Sequence, residues 1–349
     1  MTRRVKIGNI YIGGGEKIAV QSMTTAYTAD IGKTVAQINT LADCGCDIVR
    51  IAIPDEDSAK AVSEIKEKIS VPIVADIHFD YRLALICMER GIDKIRINPG
   101  NIGGEDRARA VAEEAKRRGI PIRIGVNGGS LEKEILEKYG VSTPEAMVES
   151  ARRHVEILEK YGFYDTVISM KSSDVKKTVA AYRLASEVFE YPLHLGVTEA
   201  GTYKSGIVKS SIGIGSLLAD GIGDTIRVSL TDDPVREVEA GRLILKSLGL
   251  LKTGVEVVSC PTCARCRINL IPIAKQVSEA LENVDMDIKV AVMGCVVNGP
   301  GEARDADIGV AGGDGCAVLF KKGVPSGKIP EDRIVETLLG EIEKMKEND

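Results

Sequence analysis

The chain has no tryptophan, and four phenylalanines and nine tyrosines make up its whole aromatic content, 4% of 349 residues. So few flat π-faces leave no stacking platform for nucleic-acid bases. A basic excess is also missing. Its 46 lysines and arginines face 51 aspartates and glutamates, a formal net charge of −5, which argues against a general nucleic-acid binder. The N-terminal "MTRRVKIGNIYIGGG" lacks the apolar core of a signal peptide, and no later run approaches the length of a membrane span. These absences lead to the expectation of a cytoplasmic protein with neither membrane nor nucleic acid as partner. In a reducing compartment, eight cysteines read as metal ligands, catalytic thiols or core rather than as disulfides.

What is present is a globular balance, 44% hydrophobic and 28% charged. The length suits about two domains, or one large barrel with an appendage. From residue 18 onward, β-branched runs alternate with amphipathic stretches. The strand candidates are "IAVQSM" (18–23), "DIVRIAIP" (47–54), "PIVADIHF" (72–79) and "KIRINPG" (94–100). They continue with "PIRIGVN" (121–127), "TVISMKSS" (166–173), "LHLGVTEA" (193–200) and "DTIRVSLT" (224–231). Helical patterns such as "DEDSAKAVSEIKEKI" and "EDRARAVAEEAKRRG" separate them, which signals βαβ units and a parallel sheet. Eight such units predict a (β/α)8 TIM barrel over 1–250. An open dinucleotide-binding sheet would need a glycine-rich turn after its first strand, and "QSMTTAYT" supplies none. Near residue 250 the alternation stops. A smaller α/β domain over 251–349 follows, with strands at 255–259 and 287–294, a helix at 269–282, two short strands after a glycine-rich loop, and a terminal helix from about 331.

In such barrels chemistry sits where strands end. Those ends are polar here: Arg50, Asp76, His78, Arg96, Asn98, Arg123, Asn127, Lys171, Ser172, Ser173, Glu199, Arg227 and Ser229. Period-two alternation puts Arg96 with Asn98, Arg123 with Asn127, and Arg227 with Ser229 on common faces. Sequence alone leaves both the barrel-inward and the helix-facing orientation open, the latter burying an arginine against an apolar helix at a cost unless it has a partner. The cations Arg50, Arg96, Arg123, Lys171 and Arg227 would repel one another at one mouth unless an anion neutralised them. A ligand with two phosphates suits arginine forks. Asp76 and Glu199 are the remaining acids, as counter-ions or as groups for protons and hydroxyls.

The segment "SCPTCARC" places Cys260, Cys263 and Cys266 at intervals of three, and "VMGCVVNGPGEA" adds Cys295. Zinc would need a second closed pair of ligands, and Cys295 has no cysteine or histidine close by. An iron–sulfur site tolerates scattered ligands. Spacing alone leaves iron–sulfur, zinc and reduced structural cysteines open. Cys44, Cys46, Cys87 and Cys316 lie in apolar runs and are expected in the core.

"SCPTC" followed by "MGCVVNGPGEA", behind a barrel ending "GDTIRVSLTDDP", closely resembles the bacterial 4-hydroxy-3-methylbut-2-enyl diphosphate synthase family of the methylerythritol phosphate route to isoprenoids. "VQSMT", "RINPGNIG", "IRIGVN" and "HLGVTEAG" extend the resemblance over nearly the whole chain. It implies a barrel like that of dihydropteroate synthase and a cluster domain like those of sulfite and nitrite reductases. It implies a 4Fe–4S cluster held by Cys260, Cys263, Cys295 and Glu302, with Cys266 an extra cysteine. The implied reaction is reductive ring opening and dehydration of 2-C-methyl-D-erythritol 2,4-cyclodiphosphate to an allylic diphosphate, with flavodoxin or ferredoxin as electron donor. Arg50, Arg96, Arg123, Asn127, Lys171, Ser172, Arg227 and Ser229 would then bind substrate, and Glu199, Asp76 and Glu302 would serve catalysis. The short link after the eighth helix leaves from the barrel's far end. Together with the resemblance it predicts a head-to-tail homodimer with each site shared between subunits. The competing expectation is a zinc-stabilised barrel that binds phosphorylated ligands without redox turnover.

Overall fold

The structure is a computed structural model that describes residues 1–98, 102, 104–252, 254–282, 284, 286–297, 301 and 303–347. The chain divides into two compact units, Met1–Leu250 and Leu251–Asp349.

A short antiparallel hairpin, β1 (Val5–Ile7) and β2 (Ile10–Ile12), opens the first unit. The barrel strands are β3 (Ala19–Met23), β4 (Ile48–Ala52), β5 (Ile73–Asp76), β6 (Lys94–Ile97), β7 (Ile122–Asn127), β8 (Thr166–Lys171), β9 (His194–Leu195) and β10 (Thr225–Ile226). All are parallel, in the order β8-β7-β6-β5-β4-β3-β10-β9, and a parallel bridge from Ile168 to Leu193 brings the two ends together. The helices are α1 (Ile31–Asp43), α2 (Glu56–Lys66), α3 (Tyr81–Glu89), α4 (Glu105–Arg118), α5 (Lys133–Tyr139), α6 (Pro144–Lys160), α7 (Val175–Val188), α8 (Tyr203–Ala219) and α9 (Pro234–Ser247). Several begin where the sequence supplies a cap. Asp30, Asp55, Thr143, Asp174 and Asp233 each accept a backbone N–H of the following first turn. The α5 helix is additional to the simple strand–helix alternation.

Pairing at β9 and β10 covers two residues each, against the eight expected in 193–200 and 224–231. The backbones stay adjacent, since Arg227 N–H donates to the Leu195 carbonyl at 2.9 Å. A Cβ on Gly196 would lie 2.8 Å from the Arg227 carbonyl oxygen, so glycine is needed for that approach.

The hairpin forms the floor of the barrel. Val5, Ile7 and Ile12 are buried against Ala19, Ile48, Val74 and Val167, contributed by β3, β4, β5 and β8. With only three residues per strand, this hairpin carries too little periodicity to be read from sequence. Gly13, which follows it at φ 72°, has the Arg3 carbonyl oxygen 2.1 Å from where a Cβ would sit.

The second unit is a sheet in the order β11 (Glu256–Ser259), β12 (Lys289–Met293), β13 (Ile308–Gly313), β14 (Cys316–Lys321), β15 (Val324–Pro330). Strands β11 to β13 are parallel, and β14 and β15 return antiparallel. Helices α10 (Leu270–Leu281) and α11 (Ile334–Lys346) bury Ile273, Val277, Leu338 and Ile342 with Val290, Val292, Ile308 and Val310. Three strands follow the glycine-rich loop rather than the two expected. The tight turns Asp314-Gly315 and Lys322-Gly323 make two hairpins, with positive φ at Gly315, Lys322 and Gly323. Of the cysteines expected in the core, Cys46 and Cys87 are buried, whereas Cys44 and Cys316 are half-buried.

If the hairpin seals the barrel, Ile7→Ala should lower stability by about 2–5 kcal/mol, read as a lower denaturant midpoint. Lys6→Ala on the exposed face of the same strand should change it by less than about 0.5 kcal/mol. Equal costs for the two would show that the floor is not what Ile7 supports.

Candidate active site

Inward positions at the C-terminal ends of the barrel strands enclose a cavity of about 190 Å³. Arg50 of β4, Arg96 of β6, Arg123 of β7, Lys171 of β8 and Arg227, just after β10, all line it. Parallel pairing explains the convergence. Arg96 is in register with Arg123 and with Asp76, and Asn127 with Lys171, so these side chains share the inner face. Asp76, Asn127 and Ser229, also expected from sequence, line it with them, as does His78. Ser169 and Thr198 also line it; Ser169 lies two residues from Lys171 on the same strand, and Thr198 precedes Glu199.

The cations far outnumber the acids. Asp76 is the carboxylate lining the cavity, and it serves three neighbours: Arg96 at 3.1 Å, His78 at 3.4 Å and Arg50 at 3.8 Å. Burial opposes its ionisation, but the His78 hydrogen bond and the Arg50 and Arg96 charges outweigh that and hold it well below the usual carboxylate range. Glu237 of α9, itself buried, stands behind Arg227 at 3.4 Å and also accepts from Ser22 Oγ and the Leu230 N–H.

The cations are poorly partnered. Arg50 directs Nε and Nη2 at Met23 Sδ, at 3.0 and 2.8 Å, a weak acceptor. Lys171 Nζ has His194 Nε2 at 3.4 Å. Arg123 Nε and Nη1 are buried without a partner among the described residues. Burial, then repulsion from Arg227, brings Arg50 down to about 10. Burial, then the charges of Arg123 and Arg227, lowers Lys171. Unused donors and mutual repulsion together define a receptor for a compact polyanion.

Four of the polar strand-end residues, Asn98, Ser172, Ser173 and Glu199, do not line the cavity. Ser172 is buried, its Oγ accepts the Asp174 N–H at 3.2 Å, and its carbonyl accepts from Thr178 Oγ1, so it holds the turn that leads into α7. Glu199 is exposed in the loop after β9, beside the cavity residue Thr198. Glu199 has φ 51°, a left-handed backbone that is uncommon outside glycine, and such strain clusters at functional loops.

In the second unit, β11 and β12 are neighbours, with Ser259 opposite Val292. Cys260 and Cys295 therefore leave the sheet at the same edge. The Gly294 N–H donates to Cys260 Sγ at 3.2 Å. Cys263 is exposed, and its thiol is lowered first by the Arg265 backbone N–H and then by the Arg265 side chain. Cys266 differs: its Sγ donates to the Ile268 carbonyl at 3.2 Å and packs partly buried against the sheet core. A Cβ on Gly294 would lie 2.6 Å from that sulfur. Among the described residues, no three of His, Cys, Asp or Glu are grouped to hold a metal ion. Glu302 lies outside the described residues. The donor chemistry nonetheless fits a sulfur-ligated cluster, with thiols gathered at one edge, one already receiving an N–H bond and one acidified.

A family model described as the GcpE TIM-barrel domain matches residues 2–242, and one described as the GcpE protein C-terminal domain matches residues 256–344. The 4-hydroxy-3-methylbut-2-en-1-yl diphosphate synthase (flavodoxin) of Caldanaerobacter subterraneus subsp. tengcongensis is 62% identical over 345 residues, covering 99% of this chain and 97% of the relative. The protein of the same name from Ruminiclostridium cellulolyticum is 60% identical over 344 residues, covering 99% and 98%. Among solved structures, dihydropteroate synthase from Xanthomonas albilineans superposes with a TM-score of 0.52 at 13% identity, over 71% of this chain and 100% of that one. The 3-dehydroquinate dehydratase of Geobacillus kaustophilus gives 0.51 at 15%, over 71% and 98%. At such identities the likeness shows the barrel fold alone. Both domain models match in order, one on each compact unit, and the chain belongs to the GcpE family.

Proposed function

We propose that this chain is an oxidoreductase of isoprenoid biosynthesis that opens 2-C-methyl-D-erythritol 2,4-cyclodiphosphate reductively to 4-hydroxy-3-methylbut-2-enyl diphosphate, working in the cytoplasm with flavodoxin as electron donor. The observation that carries the reading is the cavity in which five cations, Arg50, Arg123 and Lys171 among them poorly partnered, meet the one carboxylate of Asp76 among the described residues. In the reaction two electrons enter, a carbon–oxygen bond to phosphate breaks, and a hydroxyl leaves as water. A 4Fe–4S cluster would be held by Cys260, Cys263, Cys295 and Glu302; when bound, it supplies electrons and a Lewis-acidic iron that the more weakly held carboxylate leaves accessible.

The chain's own residues carry the rest. Arg50, Arg96, Arg123, Lys171 and Arg227 hold the diphosphate and stabilise the charge that grows on the phosphate oxygen as its bond to carbon breaks. Asn127 and Ser229 offer neutral hydrogen bonds beside them. Asp76, kept ionised by three partners, acts as a counter-ion and as an acceptor for a substrate hydroxyl rather than as an acid. Glu199, next to the cavity residue Thr198 and without a hydrogen-bond or salt-bridge partner among the described residues, is the group assigned to the hydroxyl that leaves as water. Ser172 instead fixes the turn into α7 by accepting the N–H of the cap residue, Asp174.

Removing any one of Arg50, Arg96, Arg123 or Lys171 should weaken diphosphate binding by about 1.5–3 kcal/mol, the scale of a hydrogen bond to a charged group. Inorganic pyrophosphate should raise the melting temperature of the unsubstituted protein. Unchanged binding across all four variants would make these residues structural.

Cys260→Ser, Cys263→Ser and Cys295→Ser should each abolish bound iron and sulfide in protein purified without oxygen, and Cys266→Ser should keep them. Cluster loss in Cys266→Ser, or a colourless protein with stoichiometric zinc, would overturn the ligand set.

Leu250 shares a hollow with Ile18, Leu193 and Asp224, residues that precede barrel strands, so the chain leaves the barrel at the end opposite the cavity. This supports a head-to-tail homodimer in which each mouth is served by the partner's cysteine unit. Mixing Glu199→Ala with Cys295→Ser tests it. If half the dimers are mixed, activity should recover to about a quarter of wild type, since each mixed dimer has one intact site. No recovery, with subunit exchange verified, would mean that each site is built within one chain.

A further inference from the structure

Beneath the cavity lies a lysine that the reaction does not use. Lys94 opens β6, the inward position below Arg96, and is fully buried. Its Nζ has no hydrogen-bond partner among the described residues. In register it stands beside Val74, part of the apolar floor under the barrel. The charged groups bearing on it are Arg123 of β7 and Arg50 of β4, and its own charge bears on His194 of β9. None is an acid. Asp76 of β5 is taken up by Arg96, Arg50 and His78, Lys171 of β8 adds a further cation near His194, and β3 and β10 contribute the uncharged Gln21 and Thr225.

An ammonium ion buried on an apolar floor, beside two guanidinium groups and without a counter-ion, is strongly disfavoured. Arginine does not give up its proton in proteins, whereas lysine does so readily when buried. Burial first, then Arg123 and Arg50, lowers Lys94 well below the ordinary amine range. A diphosphate seated in the cavity reverses the sign of the local field, because Arg123 lines that cavity and also acts on Lys94.

Resting on the reading that the cavity takes a diphosphate, we propose that Lys94 is an uncharged amine in the empty barrel and accepts a proton from solvent when the diphosphate enters. Lys94 touches no ligand. It acts through Arg123 as a positioning residue, sparing the empty mouth one more cation and adding that charge only when an anion is present to balance it. The proton comes from the buffer and becomes the third N–H of the ammonium group.

The test is calorimetric titration of the full protein with inorganic pyrophosphate in two buffers of different ionisation enthalpy, which counts protons taken up per ligand bound. Lys171 and His194 contribute their own uptake and pyrophosphate its own release, so the difference between proteins is what matters. Wild type should take up about one proton more than Lys94→Met, and its affinity should fall with rising pH more steeply by up to about tenfold per pH unit. Lys94→Arg, whose charge cannot be removed, should show the same reduced uptake as Lys94→Met, a result that a merely structural role would not produce. Lys94→Gln replaces Lys94→Met if circular dichroism shows the latter unfolded. Nitrogen-15 spectra of the wild-type lysine side chains provide a check that needs no variant: an ammonium signal for Lys94 in the free protein overturns the proposal. Binding with equal proton counts in all proteins also overturns it and leaves the diphosphate reading intact. Absence of pyrophosphate binding overturns both.

Discussion

The carboxylate of Asp76 is shared among Arg96, Arg50 and His78, and among the described residues no second acid lines the cavity where Arg123, Lys171 and Arg227 also meet. That shortage of negative charge is the constraint on which the rest of the barrel depends. Left to itself, the arrangement costs stability, because like charges in a low-dielectric interior repel with little screening. The surrounding fold supplies the compensation. Apolar helix faces cover the outside of the strands, the hairpin β1–β2 seals the floor with Val5, Ile7 and Ile12, and Glu237 neutralises Arg227 from behind. A site that spends stability on preorganised charge needs a rigid, well-packed shell around it.

Much of this was legible because a parallel barrel reads simply. Its strands are near-continuous β-branched runs, so the charged residues inside "DIVRIAIP", "KIRINPG" and "PIRIGVN" stood out, and strand period put them on one face. What stayed hidden was either too short or too dependent on distant contacts. Three-residue strands carry no period, so the floor hairpin was missed. Ser172 shows the limit of counting along a strand: it falls one residue past β8, where the chain turns into α7, and its hydroxyl serves the cap. The second unit's extra strand rested on two tight turns, Asp314-Gly315 and Lys322-Gly323, the latter with a lysine where asparagine or aspartate is the usual signal. Cys260, Cys263 and Cys266 were equivalent by spacing. The structure separates Cys266, whose thiol is engaged by its own loop and held against the core.

The two kinds of residue proposed for the reaction are also held differently. The cations sit on strands, where register fixes each side chain relative to its neighbours, and this suits groups that must be in place before charge develops. Glu199 sits in a loop with a left-handed backbone, next to Gly201 at φ 102°, and is exposed rather than packed. That loop is tied at its ends, by Thr198 N–H to the Ser172 carbonyl at 3.3 Å and by Thr231 N–H to the Gly201 carbonyl at 3.0 Å. A strained residue between fixed ends has few backbone conformations available, so Glu199 can be exposed and still be held in place. A proton donor needs solvent contact to be recharged after each turnover, whereas a phosphate receptor gains strength from excluding solvent. Placing the cations on buried strands and the glutamate on a tethered loop meets both requirements within one barrel end.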